Sequence, residues 1–194
     1  MRIAIVVFDG MTLLDATGFY DVMYRLNRIE QHRKVSFELC GMKPSIKDEQ
    51  GVRVEVDKVR PDLSTYDALY IPGGFGTRYL RYDEEFVGWL RIAEKVKFKI
   101  AVSTGSLLLG AAGFLKCKRA TIDPNHLDLL KPYCSEVLSS HLVKDQEVIT
   151  AGGISASIDV GLYLVHLLSG DEVLDEVKQL LDYPFEMEEV VEFQ

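Results

Sequence analysis

A serine stands where an apolar run changes into a helical pattern. Residues 99–102 predict a buried strand, Ser103 follows directly, and residues 104–115 predict a helix. So tight a strand-to-helix turn exposes its first side chain at the carboxyl edge of a sheet, beside free amides and the partial positive charge of the helix N-terminus. Ser103 is therefore either a nucleophile, with the Thr104 N–H as an oxyanion donor, or a helix N-cap.

Two other segments carry residues that could act with Ser103. Asp15 opens a predicted helix, where it is either a partly buried proton-transfer group or a first-turn aspartate. Residues 72–78 contain three glycines after a predicted strand, which indicates either an anion-binding backbone or a tight turn into a helix. The pattern is not that of a phosphate-binding loop, so nucleotide binding is not implied.

Asp123 and His126 follow the helix that Ser103 begins. The order Asp123-Pro124 is typical of a helix start, and we interpret Asp123 as its N-cap and His126 as a surface residue. The four histidines lack the spacing of metal ligands, so we predict no metal and no cofactor. They are His32, His126, His141 and His166.

Alternating strand and helix patterns surround these residues. Residues 2–8 predict a strand buried on both faces, and residues 12–28 an amphipathic helix. Further strands are predicted at 35–40 and 68–71, a hairpin at 45–56, paired strands at 142–150, and helices at 83–95, 126–130, 154–168 and 172–181. This order predicts an α/β fold with a mostly parallel sheet and helices on both faces. Ligands of such sheets bind at the carboxyl ends of the strands.

Composition narrows the class of protein. With 194 residues, 47% of them hydrophobic, the chain can bury one sizeable core, and we expect a single domain over residues 1–194. The net charge of −8 argues against a nucleic-acid surface, and no apolar run reaches the roughly 18 residues of a membrane span. Three widely spaced cysteines favour a cytoplasmic location. We interpret the acidic residues 186–192 as a solvated tail.

Five segments together resemble the ThiJ/PfpI superfamily of the class I glutamine amidotransferase-like fold, and especially its isonitrile hydratase-like branch. They are residues 8–15, 71–78, 103–113, 119–121 and 150–159. The resemblance implies a flavodoxin-like three-layer sandwich, a homodimer and a small-molecule ligand. It assigns the nucleophile to Ser103, the acid to Asp15 and the oxyanion donors to the amides of Gly74 and Thr104. Gly73 and Asp123 are further candidate pocket residues.

Two positions depart from the pattern of that superfamily. It carries a cysteine where Ser103 stands and commonly a Thr-His pair where this chain has Ile122-Asp123. A helix N-terminus can lower the pKa of a thiol into the working range, whereas a serine needs a base. Asp15 is a weak base unless burial raises its pKa. Ser103 is either the natural residue or an engineered replacement of cysteine, and the sequence admits both.

Three functions are therefore open. The first is a hydratase or hydrolase of the isonitrile hydratase-like type, with weak or altered activity through Ser103 and Asp15. The second is a non-catalytic member that senses a metabolite or binds a partner. The third is a role in stress response or protein repair, as the wider superfamily suggests.

Overall fold

A computed structural model describes residues 1–29, 34–186 and 190–194 of the chain. The strands are β1 (Arg2–Val6), β2 (Ser36–Gly41), β3 (Ser45–Lys47), β4 (Arg53–Glu55), β5 (Lys58–Val59), β6 (Ala68–Ile71), β7 (Phe98–Val102), β8 (Arg119–Ala120), β9 (Glu136–Val137), β10 (Leu142–Asp145), β11 (Val148–Ala151) and β12 (Val190–Phe193). The α-helices are α1 (Leu13–Ile29), α2 (Thr77–Leu80), α3 (Glu84–Arg91), α4 (Ser106–Ala111), α5 (Leu127–Leu130), α6 (Ala156–Ser169) and α7 (Asp171–Leu180). Short 3-10 helices cover Leu63–Thr65, Ile92–Lys95, Ser103–Gly105, Pro124–His126 and Lys131–Tyr133.

Eight strands form the central sheet, in the order β12-β10-β11-β7-β6-β1-β2-β5. Its pairs are parallel except β10–β11, which confirms the predicted mostly parallel sheet. The predicted hairpin is also present, as the antiparallel pair β3–β4. The strands β8 and β9 form a separate parallel pair.

Helices cover both faces of this sheet and complete a flavodoxin-like α/β fold. The helices α1, α6 and α7 pack against one another on one face, and α3 and α4 contact each other on the opposite face. The interior of β1 is apolar because helices bury both of its faces, and its residues after Arg2 are fully buried. Phe19 of α1 stacks on Tyr70 of β6 with ring centroids 3.9 Å apart, which ties the helix to the sheet beside the first loop.

Among the described residues, no helix combines the length and the apolar character that crossing a membrane requires.

Two predicted elements differ from the structure. The helix after Ser103 is shorter than predicted, because α4 ends at Ala111 and the chain turns at Gly113, where φ is +91°. Of residues 186–192, 187–189 lie outside the described residues, and the interpretation as a solvated tail is wrong for 190–192. Val190–Phe193 forms the edge strand β12 beside β10, and Glu192 accepts a hydrogen bond from the buried Tyr163.

The strand order brings three loops to one edge. The strands β1, β6 and β7 are adjacent and parallel, so their carboxyl ends lie side by side. The chain leaves β1 toward α1, β6 toward the glycine loop and β7 toward Ser103. Such an edge is where ligands bind in open α/β sheets.

Candidate functional site

Ser103 occupies a strained turn at the end of β7. Its φ of +51° lies in the left-handed region, which side chains other than glycine rarely adopt. A Cβ on Gly105 would lie 2.4 Å from the carbonyl oxygen of Ile71, so glycine allows the turn to pack against β6. The Ser103 hydroxyl caps neither the 3-10 helix nor α4. The N-cap interpretation is therefore wrong, and the Ser103 side chain lines a cavity instead.

Asp15 lies in the first turn of α1 and is fully buried. The Gly73 amide donates to its Oδ2 at 2.8 Å, and the Tyr70 hydroxyl donates to its backbone carbonyl at 2.6 Å. Its Oδ1 is buried and has no hydrogen-bond partner in the described part of the chain.

Burial raises the pKa of Asp15 to about 7. The hydrogen bond from the Gly73 amide opposes this rise, and the nearby charges of Glu49 and Asp123 add to it. A carboxyl group with such a pKa is present in both protonation states near neutral pH. It can therefore give or take a proton during a reaction.

Gly73 brings Asp15 and Ser103 together. A Cβ on residue 73 would lie 2.9 Å from Asp15 Oδ2, 2.9 Å from Ser103 Oγ and 2.8 Å from Ser103 Cβ. The two oxygens therefore border one vacant position that any other residue type would fill. No direct hydrogen bond joins them in the residues described, so a proton passing between them needs an intervening atom of substrate or water.

The two amides assigned as oxyanion donors differ in availability. The Gly74 amide donates to Thr104 Oγ1 at 2.9 Å, and the Thr104 hydroxyl lies 3.2 Å from the Gly74 carbonyl. In this arrangement the Gly74 N–H is not free for a ligand. The Thr104 amide has no acceptor within the described ranges, so it is the open donor beside Ser103.

A cavity of about 210 Å³ opens over this edge of the sheet. Its lining residues are Thr12, Glu49, Gly74, Phe75, Arg78, Ser103, Thr104, Asp123, His126 and Ile154. Asp15 does not line the cavity. Glu49 was not predicted as a site residue. It lies in the turn between β3 and β4, which brings it to the cavity. Its amide donates to the Met11 carbonyl at 2.9 Å, and its carboxylate accepts from the Thr12 hydroxyl at 3.0 Å.

Asp123 both caps a helix and lines the cavity. Its Oδ1 accepts from the Asn125 amide at 2.8 Å, as expected of an N-cap. The interpretation of His126 as a surface residue holds only in part, because its side chain is half-buried and lines the cavity. The 3-10 turn Pro124–His126 brings the half-buried imidazole back to the cavity, where its Nε2 lies 2.9 Å from Arg78 Nη2.

A larger cavity, of about 320 Å³, lies beside the carboxyl ends of β1 and β2. Its floor is apolar and its rim charges are already paired, Lys43 with Asp9 and Arg60 with Glu85. It holds neither Ser103 nor an open donor, so we place the candidate site in the smaller cavity.

No cluster of three or more His, Cys, Asp or Glu side chains suited to a metal ion occurs among the described residues. His32, one of the four histidines examined for metal-ligand spacing, lies outside them. His126 contacts Arg78, while His166 Nδ1 lies 2.7 Å from Asp171.

Comparisons with known proteins show what the chain is similar to. Residues 1–167 match the model of the DJ-1/PfpI family. An isonitrile hydratase from Pseudomonas putida is 33% identical over 184 residues, which cover 94% of this chain and 78% of that protein. A deglycase from Thermococcus kodakarensis is 29% identical over 140 residues, or 69% of this chain and 83% of that protein. The crystal structure of a ThiJ/PfpI family protein from Pseudomonas syringae matches with a TM-score of 0.86 at 25% identity, covering 95% of this chain and 76% of that one.

Proposed function

The chain belongs to the DJ-1/PfpI family, and we propose that it is an isonitrile hydratase-like enzyme that adds water to a small electrophilic molecule. One observation carries the proposal. Ser103, in its left-handed turn, and the buried Asp15 border the same vacant position on Gly73. The substrate's reactive carbon would occupy the space beside that position.

In the first step, Ser103 Oγ forms a bond to the terminal carbon of an isonitrile, R–NC. The hydroxyl proton leaves toward Asp15, and the protonated form of Asp15 supplies a proton to the same carbon. The product is an imidate, Ser–O–CH=N–R, and no oxidant or reductant is consumed. Serine needs such a partner because its own hydroxyl does not ionise near neutral pH. The pKa of Asp15, near 7, suits both halves of this exchange.

In the second step, water adds across the C=N bond of the imidate: its oxygen bonds to the carbon, one of its protons goes to the nitrogen, and a tetrahedral intermediate forms. The Thr104 amide stabilises negative charge on its oxygen as that charge develops. The intermediate breaks its bond to Ser103 Oγ, which takes back a proton, and the formamide R–NH–CHO is released. Rotation of the Thr104 side chain would free the Gly74 amide as a second donor, since the hydroxyl is the group that occupies it.

The experiment is turnover of a panel of small isonitriles, with formamide measured by chromatography. We expect wild-type turnover, none with Ser103→Ala, and a strong loss with Asp15→Asn. Ser103→Cys should give a thiol whose pKa lies below the ordinary value of about 8.5, because the turn places it at a helix N-terminus. A thiol that titrates at its ordinary pKa would contradict the proposed elbow.

The occupied Gly74 amide and the serine favour a second candidate, a non-catalytic member that binds a metabolite. In that case wild type would turn over no isonitrile while a ligand still raised its thermal stability. Turnover only after Ser103→Cys would support the same conclusion. The similarity to a deglycase makes glycated amino acids the natural second panel, which tests the protein-repair alternative. Homodimer formation and a cytoplasmic location stay predictions, and light scattering of the purified chain tests the first.

A further inference from the structure

Three side chains form the outer wall of the cavity, which we define as Arg78, His126 and Asp123. Arg78 Nη2 lies 2.9 Å from His126 Nε2, and His126 Nδ1 lies 3.4 Å from Asp123 Oδ1. A guanidinium can only donate hydrogen bonds, so Nε2 must accept. His126 Nε2 therefore faces the guanidinium as an acceptor, and its Nδ1 makes no hydrogen bond to any described residue. The imidazole holds the guanidinium in place without neutralising its charge.

Within the described ranges, the Arg78 guanidinium has no carboxylate partner. Its one side-chain hydrogen bond there joins it to His126 Nε2. By contrast, Arg60 pairs with Glu85 at 2.5 Å and Arg25 pairs with Asp21 at 2.9 Å. The Phe75 ring lies beneath the Arg78 guanidinium, 5.1 Å from its central carbon to the ring centroid. The guanidinium is thus held by His126 and by the Phe75 ring. Four of its five N–H donors have no acceptor among the described residues.

We propose that Arg78 binds a carboxylate of the substrate, so that the substrate class is small isonitriles that carry a carboxylate near the reactive carbon. This inference rests on the proposed function, since it places the reactive carbon at Ser103 in the same cavity. A planar guanidinium binds a carboxylate through two parallel hydrogen bonds. A cavity of about 210 Å³ fits a small acid. Three nearby carboxyl groups, Asp15, Glu49 and Asp123, repel a doubly charged phosphate more than a singly charged carboxylate.

The first test compares isocyanoacetate with its neutral methyl ester. Wild type should prefer the acid, and Arg78→Gln should lower the ratio of the two kcat/KM values by roughly ten-fold or more, the usual effect of losing a charged hydrogen-bond partner. Arg81→Gln is the matched control. Arg81 follows three residues later, lies over the Tyr82 ring at 4.6 Å and does not line this cavity. Its variant should keep the wild-type ratio. An unchanged ratio in Arg78→Gln would overturn the proposal.

The second test does not depend on turnover. N-formylglycine, the hydration product of isocyanoacetate, and its neutral amide are titrated into wild type and Arg78→Gln by calorimetry. We expect the acid to bind more tightly than the amide in wild type, and this preference to fall about ten-fold in the variant. If no isonitrile is turned over but this preference appears, the proposed reaction fails and the anion site stands. Equal binding of acid and amide in wild type would refute the anion site, whatever the turnover.

Discussion

The inner end of the cavity and its outer wall are built in different ways. At the inner end, Asp15, Gly73 and Ser103 are buried just beyond the ends of three adjacent parallel strands, and the Gly73 amide donates to the Asp15 carboxyl. In the outer wall, Arg78 and His126 meet through one hydrogen bond between side chains that solvent reaches. The inner end is a rigid place for the proposed reaction because it cannot move without disturbing the sheet. The outer wall can change its residues and its selectivity while the fold stays intact.

The largest expected effect belongs to Ser103. Ser103→Gly removes the hydroxyl and should lower kcat/KM by roughly 10³-fold or more, as the loss of a nucleophile does. It should also raise the free energy of unfolding by about 1 kcal/mol, because glycine relieves the left-handed backbone. Urea denaturation and steady-state kinetics measure both effects.

Asp182→Gly is the control for Ser103→Gly. Asp182 follows α7 with a φ of +50° and lies away from the cavity. Its variant should gain similar stability and keep wild-type activity. A Ser103→Gly variant that retained activity would show that the inner end does not use this side chain.

Gly73→Ala tests the vacant position at the inner end. The new Cβ would lie within 2.9 Å of both Ser103 Oγ and Asp15 Oδ2, so both must shift. We expect a loss of about 1–3 kcal/mol in stability from overpacking, and a loss of activity larger than the loss of folded protein explains.

Gly88→Ala in α3 is the matched substitution for Gly73→Ala. Its Cβ would meet nothing within 4 Å, so it should stabilise the helix by about 0.5–1 kcal/mol and leave activity unchanged. A Gly73→Ala variant as stable and active as wild type would contradict the packing described at the inner end.

The pH dependence of stability tests the buried carboxyl group. Because the pKa of Asp15 is raised from 3.8 to about 7, the folded chain holds a proton that the unfolded chain releases. The stability that this bound proton contributes is complete below 3.8, the pKa of Asp15 in the unfolded chain. It declines as the pH rises toward 7. Relative to the Asp15→Asn variant, the wild-type free energy of unfolding should fall by at most about 4 kcal/mol across that pH range. Denaturation at a series of pH values measures the difference. Parallel curves for the two proteins would show that Asp15 has an ordinary pKa.

The smallest expected effect couples the outer wall to the inner end. Asp123 contributes to the raised pKa of Asp15 through its negative charge, so Asp123→Asn should shift the pH profile of activity downward by a few tenths of a pH unit. Asparagine still accepts the capping hydrogen bond, so the helix start should persist. Asp128→Asn is the control, because that exposed carboxylate pairs with Lys131. A shift of the same size in both variants would contradict a specific electrostatic coupling between Asp123 and Asp15.

Local patterns predicted the elements that build the inner end. The apolar run that stops before Ser103 forms β7, and Asp15 lies in the first turn of α1, as predicted. Both features depend mainly on neighbouring residues in the sequence. The mostly parallel sheet followed from the alternation of strands and helices, which allows few topologies, whereas the order of its strands came from the structure. The length of α4 and the edge strand β12 were missed, because a turn at Gly113 and pairing with β10 are not periodic signals.

By itself, the sequence determined that strands and helices alternate, that Ser103 and Asp15 lie at one edge of the sheet, and which family the chain resembles. Only the tertiary structure decided that Gly73 separates their oxygens, that Thr104 occupies the Gly74 amide, and that Glu49, Arg78 and His126 share their cavity. The reason is physical. Hydrogen bonds along a chain follow its local conformation, whereas contacts such as that between Arg78 and His126 depend on how distant segments pack and which rotamers that packing leaves open.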